Sequence, residues 1–365
     1  MKKRKMVQEE FCCPTFNLPE KGVHSWQAPS NIALIKYWGK YGLQLPKNAS
    51  LSFTLSACQT QTKVIYTKQK QADKFSFKVF LKGEHAPSFE PKVATFLERI
   101  EAYLPFLRNY HFDIYTQNTF PHSSGIASSA SGLAALACCL LSIEKEHNPE
   151  LTEEKFAKKA SFLARLGSGS AARSITGPLM LWGEHQGTEK SSQLFAIPYE
   201  EPLDTIFRDF QDTILLVDRG KKEVSSTLGH NLMLNHPYAE NRFQQAQHQL
   251  SQLKKVLKEG DLKNFTKIVE MEALALHAMM MTSDPYFILM KPNTLEIIHR
   301  IWAYREANDS AVCFTLDAGA NVHLLYPKKE KKKILDFVKN QLVAFCEKGQ
   351  YICDEVGLGA SVIES

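Results

Sequence analysis

The sequence lacks the features that mark several common classes of protein. No G-x-x-x-x-G-K-[ST] motif occurs among its 365 residues, which excludes a P-loop nucleotide site. No run approaches the ~18–20 apolar residues of a membrane-spanning helix, and no apolar segment follows the basic start Met1–Lys5, as it would in a secretory signal. No stripe of basic and aromatic residues indicates nucleic-acid binding. We therefore expect neither a membrane nor a nucleic acid as partner.

Cysteine is present, but not in a pattern typical of disulfides or metal sites. The eight cysteines include no C-x-x-C pair, and Cys12–Cys13 and Cys138–Cys139 are adjacent residues, which rarely pair with each other. Reduced thiols in a cytoplasmic protein are the simpler expectation. The net charge is only +5, which suits a small anionic ligand and is too weak to indicate nucleic acid.

The length of the chain suggests two domains or one large α/β unit. Helical and strand patterns alternate along the sequence without internal repeats. Two prolines and two acids in Ile197–Pro202 indicate a domain boundary. We predict an N-terminal domain over residues 1–200, in which 1–26 form a peripheral arm, and a C-terminal domain over 201–365.

The run Gly167–Ser174 (Gly-Ser-Gly-Ser-Ala-Ala-Arg-Ser) is unusual as packing and natural as an anion site. Its glycines let the backbone approach a ligand closely, because they carry no side chain. Arg173 adds a planar, permanently charged fork that can bind a carboxylate or phosphate at two points. The alternative interpretation is a surface turn followed by a helix with an exposed arginine.

A second serine-rich segment, Pro121–Ser131, leads into a strongly apolar helix predicted over Gly132–Ile143. The N-terminus of a helix offers free N–H donors and a partial positive charge, both of which favour phosphate. Serine capping of a core helix is the alternative, and it accounts for one of these serines better than for the other four.

Charged residues also stand where apolar strands are predicted to end. Lys36 lies too deep in an apolar run to be a solvated strand end, so it needs a counter-charge, whereas Lys40 can be such an end. Asp317 lies between two strands predicted over Ala311–Leu316 and Val322–Tyr326. An Asp-x-Gly turn is a common hairpin tip, but the carboxylate could equally serve as a general base or pair with Lys36.

Five segments, taken together and in order, resemble the diphosphomevalonate decarboxylase family of the GHMP small-molecule kinase superfamily. They span about residues 28 to 323 and are Ala28–Lys40, Phe120–Ser131, Gly167–Ser174, Lys222–Thr227 and Thr315–Asn321. The resemblance implies an α+β fold of α/β sandwich layers. Its N-terminal domain contains a left-handed βαβ unit, its C-terminal domain is α+β, and the active site lies in the cleft between them.

The resemblance also implies a reaction of isoprenoid biosynthesis. ATP phosphorylates the tertiary 3-hydroxyl of (R)-5-diphosphomevalonate, and isopentenyl diphosphate forms as ADP, phosphate and CO2 are released. The implied cofactors are ATP and Mg2+, the implied partner is the small-molecule substrate, and the implied assembly is a homodimer. The resemblance identifies no metal ligands in this chain.

Specific residues receive roles by the same resemblance. Asp317 orients or deprotonates the 3-hydroxyl, Lys36 pairs with Asp317 or neutralises the developing phosphate, and Arg173 holds the substrate carboxylate. The implied substrate contacts are Tyr37, Trp38, Gly39, Lys40, Ser168, Gly169, Ser170, Ala171, Ala172, Arg173 and Thr227. The implied ATP contacts are Thr116, Ser123, Ser124, Gly125, Ala127, Ser128 and Ser129.

The sequence departs from the family pattern at several points. Ala320 stands where the family usually has proline, Ala172 where many members have cysteine or serine, Glu272–His277 replaces Asp-Ser-Asn-x-x-His, and Asp284–Phe287 replaces Pro-Pro-Phe. A phosphomevalonate decarboxylase, or another GHMP kinase acting on mevalonate derivatives, therefore remains an alternative. A catalytically silent binding protein on the same fold is a further one, although retention of the aspartate and lysine pair favours decarboxylation.

Overall fold

The computed structural model describes residues 8–17, 19–70, 73–121, 126–220 and 226–364. Within these ranges the strands form an eight-stranded sheet, a four-stranded sheet and a two-stranded ribbon. In chain order the strands are β1 (Lys21–Ile35), β2 (Lys40–Tyr41), β3 (Leu45–Pro46), β4 (Ser50–Lys68), β5 (Ser76–Leu81), β6 (Glu84–His85), β7 (Tyr110–Asn118), β8 (Leu179–Trp182), β9 (Ala196–Pro198), β10 (Gln211–Leu215), β11 (Cys313–Thr315), β12 (Val322–Tyr326), β13 (Tyr351–Glu355) and β14 (Ser361–Val362).

The helices cover the sheets in the same described ranges. They are α1 (Glu90–Ile100), α2 (Ser128–Lys145), α3 (Glu153–Gly167), α4 (Ser226–Leu232), α5 (Ala239–Glu259), α6 (Leu262–Met281), α7 (Pro292–Asn308) and α8 (Lys331–Phe337). None of them combines the length and apolarity needed to cross a bilayer. The mixture of antiparallel sheets, helical layers and one parallel β5–β7 pair is an α+β architecture.

Strands β1 and β4 form the centre of the larger sheet, whose order is β14-β1-β4-β7-β5-β6, with β8 and β9 attached through β4. The predicted peripheral arm over 1–26 is wrong for residues 21–26, because Lys21 already pairs with Thr67 as part of β1. Phe11, in the same predicted arm, is buried and stacks on Phe162 with ring centroids 4.0 Å apart. Polar residues interrupt the apolar pattern over residues 21–26. The strand is therefore recognised only from its pairing with β4.

Helix α2 lies against the central strands with almost all of its side chains buried. Its face is rich in alanine, including Ala130, Ala134 and Ala137, and small side chains let a helix approach a sheet closely. The helix begins at Ser128, whose neighbour Ser129 lies 3.5 Å, oxygen to oxygen, from Ser168 in the Gly167–Ser174 run. The packing of α2 therefore places both predicted anion segments side by side.

The smaller sheet is antiparallel in the order β11-β12-β10-β13. The predicted hairpin around Asp317 is confirmed, with strands at Cys313–Thr315 and Val322–Tyr326. One hydrophobic core joins this sheet to the larger one, because Ile32 and Phe53 belong to the same cluster as Leu325. Strand β14 pairs with β1 in the larger sheet. A division into two domains near residue 200 stays a prediction.

Candidate active site

A cavity of about 410 Å³, here called the acceptor cavity, opens where the end of β1, the start of α2 and the β11–β12 turn meet. Most of the residues predicted from the sequence line it. From the catalytic and substrate sets it brings together Lys36, Tyr37, Trp38, Lys40, Ser168, Gly169, Ser170, Arg173 and Asp317, and from the ATP set Ala127, Ser128 and Ser129.

Lys36 and Asp317 form an ion pair at the base of the acceptor cavity. The lysine directly follows β1, and its Nζ lies 3.1 Å from Asp317 Oδ1. The lysine side chain is 2% exposed and the aspartate 26%, so the carboxylate faces the cavity with the lysine behind it. Burial lowers the pKa of Lys36, while the charge of Asp317 opposes that shift. The counter-charge that Lys36 needs is thus supplied by Asp317.

Arg173 is buried in the wall of the same cavity and is held by neutral partners. Its Nε donates to Asn31 Oδ1 at 3.3 Å, and its Nη1 donates to the hydroxyl of Ser50. In the described part of the chain it forms no ion pair within 4.0 Å. Burial lowers its pKa to about 10, so the guanidinium remains charged at neutral pH. A buried cation without a protein carboxylate in contact is arranged to receive an anion.

The Gly167–Ser174 run is an ordered part of this wall. A 3-10 helix spans Gly169–Ser174, and Asn31 ties it to β1 by donating to the Ser170 carbonyl and the Ser174 hydroxyl. A Cβ at Gly169 would lie 2.6 Å from the hydroxyl of Tyr37, so only glycine allows this approach. The alternative of a surface turn with an exposed arginine is excluded.

Three described residues of the predicted substrate set, Gly39, Ala171 and Ala172, are not among the residues that line the cavity. Ala171 and Ala172 are fully buried, and Ala172 packs with Met180 and Trp182. The inward face of the 3-10 helix carries both side chains into the core, and their role as substrate contacts stays a prediction. Their small size instead lets the helix lie close to the sheet.

Gly39 acts on the site through its shape. Its φ is +102°, and a Cβ would lie 2.6 Å from the Phe243 ring, so a side chain is excluded there. Its N–H donates to Nδ1 of His230 at 3.0 Å, and the rings of Tyr37 and Trp38 lie 4.3 and 4.7 Å from the His230 ring. Burial lowers the pKa of His230 to about 3 and keeps it neutral.

A second groove of about 560 Å³, here called the side groove, shares a wall with the acceptor cavity. The common wall contains Lys92, Ser128 and Ser129. Thr116, predicted to contact ATP, lies in this groove and not in the acceptor cavity. The groove is otherwise largely apolar, with side chains of Val79, Leu81, Ile114, Leu133 and Leu136.

Several predicted residues cannot be placed. Ser123, Ser124 and Gly125 lie outside the described residues. Thr227 belongs to helix α4, which begins at Ser226, but its side chain is not among those that the structure describes. Their roles remain predictions.

Sequence reasoning missed part of the site. Asn31 and Ser50 hold Arg173, and His230 and Lys92 line the cavity. A polar asparagine at the start of the apolar run within β1 was a usable signal for the first of these. The others carry no local signal, because their partners are far away in the sequence.

Comparisons with known proteins agree with this architecture. The family model described as the diphosphomevalonate decarboxylase-like N-terminal domain matches residues 28–194, and the mevalonate 5-diphosphate decarboxylase C-terminal domain matches residues 213–357. The diphosphomevalonate decarboxylase of Saccharomyces cerevisiae is 30% identical over 329 residues, covering 85% of this chain and 79% of the yeast protein. The human protein of that name is 28% identical over 311 residues, covering 80% and 74%.

Solved structures give the same result. A mevalonate diphosphate decarboxylase from Staphylococcus aureus superposes with a TM-score of 0.80 at 29% identity, over 94% of this chain and 98% of that one. A structure described as MDDEF in complex with MVAPP, AMPPCP and magnesium gives 0.79 at 30% identity, over 94% and 100%. These matches confirm the expected GHMP-type α+β fold. The chain belongs to the diphosphomevalonate decarboxylase family.

Proposed function

We propose that this protein converts (R)-5-diphosphomevalonate to isopentenyl diphosphate, using ATP and releasing ADP, phosphate and CO2, in the mevalonate pathway of isoprenoid biosynthesis. The observation that carries the proposal is the meeting of the Lys36–Asp317 pair and the buried Arg173 in one cavity of a chain of this family. One carboxylate and two cations of this kind match a substrate that carries a hydroxyl, a carboxylate and phosphates.

The reaction needs a better leaving group before carbon–carbon cleavage. Asp317 accepts or orients the proton of the 3-hydroxyl. The oxygen of that hydroxyl attacks the γ-phosphorus of ATP, and the bond between the γ-phosphorus and ADP breaks. Lys36 stabilises the Asp317 carboxylate and the charge that develops beside it. The C3–O bond then breaks to release phosphate, as the electrons of the C1–C2 bond form the new double bond and CO2 leaves.

Arg173 fits the role of holding the C1 carboxylate. Its neutral partners, Asn31 and Ser50, fix the guanidinium without neutralising it. A two-point grip aligns the bond that breaks with the departing phosphate. Tyr37, Lys40 and the Ser168–Ser170 backbone lie around the same cavity and provide further anion contacts for the 5-diphosphate.

The side groove suits the nucleotide. Its apolar surface can contact a base, and the start of α2 at Ser128 and Ser129 lies between the groove and the acceptor cavity, where the ATP phosphates would rest. Magnesium would supply positive charge that offsets the charge of those phosphates. The described residues contain no cluster of three or more His, Cys, Asp or Glu that could hold a metal, which fits an ion held chiefly by phosphates and water.

The test is to incubate the protein with ATP, Mg2+ and each of mevalonate, its 5-phosphate and its 5-diphosphate, and to identify products by mass. We expect CO2 and isopentenyl diphosphate from the 5-diphosphate. A charge-assisted contact contributes roughly 1.5–3 kcal/mol. The 5-phosphate should therefore have at least a ~10-fold lower kcat/KM.

The other outcomes separate the alternatives. Equal or better use of the 5-phosphate would assign the chain as a phosphomevalonate decarboxylase. A stable phosphorylated product without CO2 would assign it as a kinase of mevalonate derivatives. No ATP turnover with any of the three would indicate a binding protein.

We also propose a two-domain division near residue 200, a homodimer and a cytoplasmic location. The two family models end and begin on either side of this point, at residues 194 and 213, which supports the division. All eight cysteines are free thiols, which supports a reducing compartment. Light scattering on the purified protein tests the assembly, since a monomeric mass would exclude the dimer.

A further inference from the structure

Helix α6 contacts the backbones of both members of the Lys36–Asp317 pair. Glu272 Oε2 accepts a hydrogen bond from the Lys36 N–H at 2.8 Å. One and a half turns further along the helix, Nε2 of His277 lies 3.1 Å from the Asp317 carbonyl oxygen. Neither contact involves a reacting atom, and the proposed chemistry uses neither side chain.

Glu272 is itself held by a buried charge. Arg242 on α5 donates from Nη2 to the same Oε2 atom at 2.6 Å, and the two side chains are 2% and 0% exposed. Glu272 Oε1 and Arg242 Nε and Nη1 have no hydrogen-bond partner among the residues that the structure describes. A buried ion pair with unpaired atoms is a poor source of stability, since an apolar pair of similar volume often serves as well. What the pair does supply is a fixed acceptor for the Lys36 N–H.

His277 serves Asp317 in the same way. It is 1% exposed, and burial lowers its pKa to about 4, so the ring is neutral at physiological pH. A neutral imidazole facing a carbonyl oxygen through Nε2 donates its single proton there. The turn that carries Asp317 is thereby tied to α6.

We propose that Glu272 and His277 are positioning residues that set the distance between Lys36 Nζ and Asp317 from a single helix, with Arg242 holding the Glu272 carboxylate in place. The inference rests on the proposed function, because it assigns the two residues to the geometry of that reaction. Small displacements matter here, since ~1 Å of misplacement can cost ~100-fold in rate.

The test compares two double variants that differ in one property. Both Arg242→Met/Glu272→Gln and Arg242→Met/Glu272→Leu remove the buried charges, but only glutamine retains an oxygen that can accept from the Lys36 N–H. We expect kcat to be at least ~10-fold lower in the leucine variant than in the glutamine variant. The KM values for ATP and 5-diphosphomevalonate should agree within about two-fold, because the binding surfaces are untouched.

A second pair leaves the buried charges intact and decides the matter if the double variants do not fold. His277→Gln retains an N–H donor for the Asp317 carbonyl, and His277→Leu does not. We expect the leucine variant to have the lower kcat, again with unchanged KM values. Lys159→Met/Glu144→Gln removes another buried ion pair, which joins α3 to α2. This double variant is the control for loss of buried charge alone.

Equal kcat values within each pair would overturn the inference. A fall in kcat of the Lys159 and Glu144 control equal to that of the leucine double variant would also overturn it. If the wild-type protein releases no CO2, the proposed function fails separately. Crystal structures then decide the positioning role: the Lys36 Nζ–Asp317 Oδ1 distance should lengthen from 3.1 Å in the leucine double variant. An unchanged distance in that structure would also reject it.

Discussion

The acceptor cavity and the side groove share a wall, but their linings differ in chemistry. The acceptor cavity carries Lys36, Lys40 and Arg173 beside the Asp317 carboxylate, and two of these cations are almost wholly buried. The side groove is lined mainly by aliphatic side chains and threonines. Buried charge makes the first region sensitive to the position and chemistry of single atoms, whereas shape governs the second. Substitutions should therefore separate turnover from nucleotide affinity.

The largest effect is expected at Asp317. Asp317→Asn keeps the size of the side chain but cannot accept the hydroxyl proton at neutral pH, so kcat should fall by roughly 10³-fold or more. The affinity for an ATP analogue, measured by calorimetry, should remain close to that of the wild type because the side groove is unchanged. Near-normal turnover of a folded Asp317→Asn protein would remove the aspartate from the mechanism.

Arg173 provides the next largest effect. Arg173→Lys keeps the positive charge but loses the planar fork and its bonds to Asn31 and Ser50. We expect CO2 release to slow by at least ~100-fold, since the carboxylate would no longer be aligned. Release of CO2 at the wild-type rate would show that the arginine holds a different group.

A change in the side groove should weaken the binding of ATP rather than slow turnover. Gly132 faces the groove from α2, and a Cβ there meets only Thr60 Cγ2 at 4.0 Å, so a longer side chain can extend into the space. Gly132→Leu should raise the KM for ATP about 10-fold, which corresponds to ~1.4 kcal/mol of lost binding. Gly132→Ala is the matched control. A rise in the KM for 5-diphosphomevalonate instead would contradict the assignment of the groove to nucleotide.

The smallest effect concerns acid stability, and it belongs to the acceptor cavity. Burial lowers the pKa of His230 to about 3, whereas in the unfolded chain the pKa is near its usual 6.5. Below pH 6.5 the unfolded state therefore binds a proton that the folded state excludes, and stability falls as the pH falls. The loss should reach about 1 kcal/mol near pH 5.5.

Melting curves between pH 7 and pH 5 measure this dependence. His230→Asn retains an acceptor for the Gly39 N–H and removes the titrating ring, so its melting temperature should fall less over this range than that of the wild type. An identical pH dependence in both proteins would show that other groups account for the acid sensitivity.

The sequence predicted the segments that carry the site residues better than the distant contacts that hold those residues in place. The Asp317 hairpin, the apolar helix α2 and the glycine–serine run were visible because their patterns are local. The contact of Glu272 with Lys36 joins residues 236 positions apart, and no local pattern encodes it. Lys21 was assigned to an arm because its strand is defined by pairing with Thr67 rather than by composition.

The inward face of a short helix was also beyond prediction. Ala171 and Ala172 share a segment with Ser170 and Arg173. Small residues beside an arginine can equally form the wall of a cavity or part of the core. Only the three-residue turn of the 3-10 helix decides which of them face the cavity. Spacing in the sequence was therefore enough to find the segment and not enough to orient it.

Strand β14 pairs with β1 in the larger sheet, and β13 of the smaller sheet lies against β4, which has a consequence for biosynthesis. Asp354 accepts hydrogen bonds from the N–H groups of Ser56, Ala57 and Cys58, and Val362 pairs with Trp26 on the outer side of β1. During translation β1 and β4 emerge from the ribosome long before residues 351–362 are synthesised. Until then the outer side of β1 and the N–H groups of Ser56, Ala57 and Cys58 are uncovered. An uncovered strand margin is a template for aggregation. The nascent chain thus lacks this protection until residues 351–362 have been synthesised, and ribosome stalling before residue 351 should leave it exposed to chaperones and proteases.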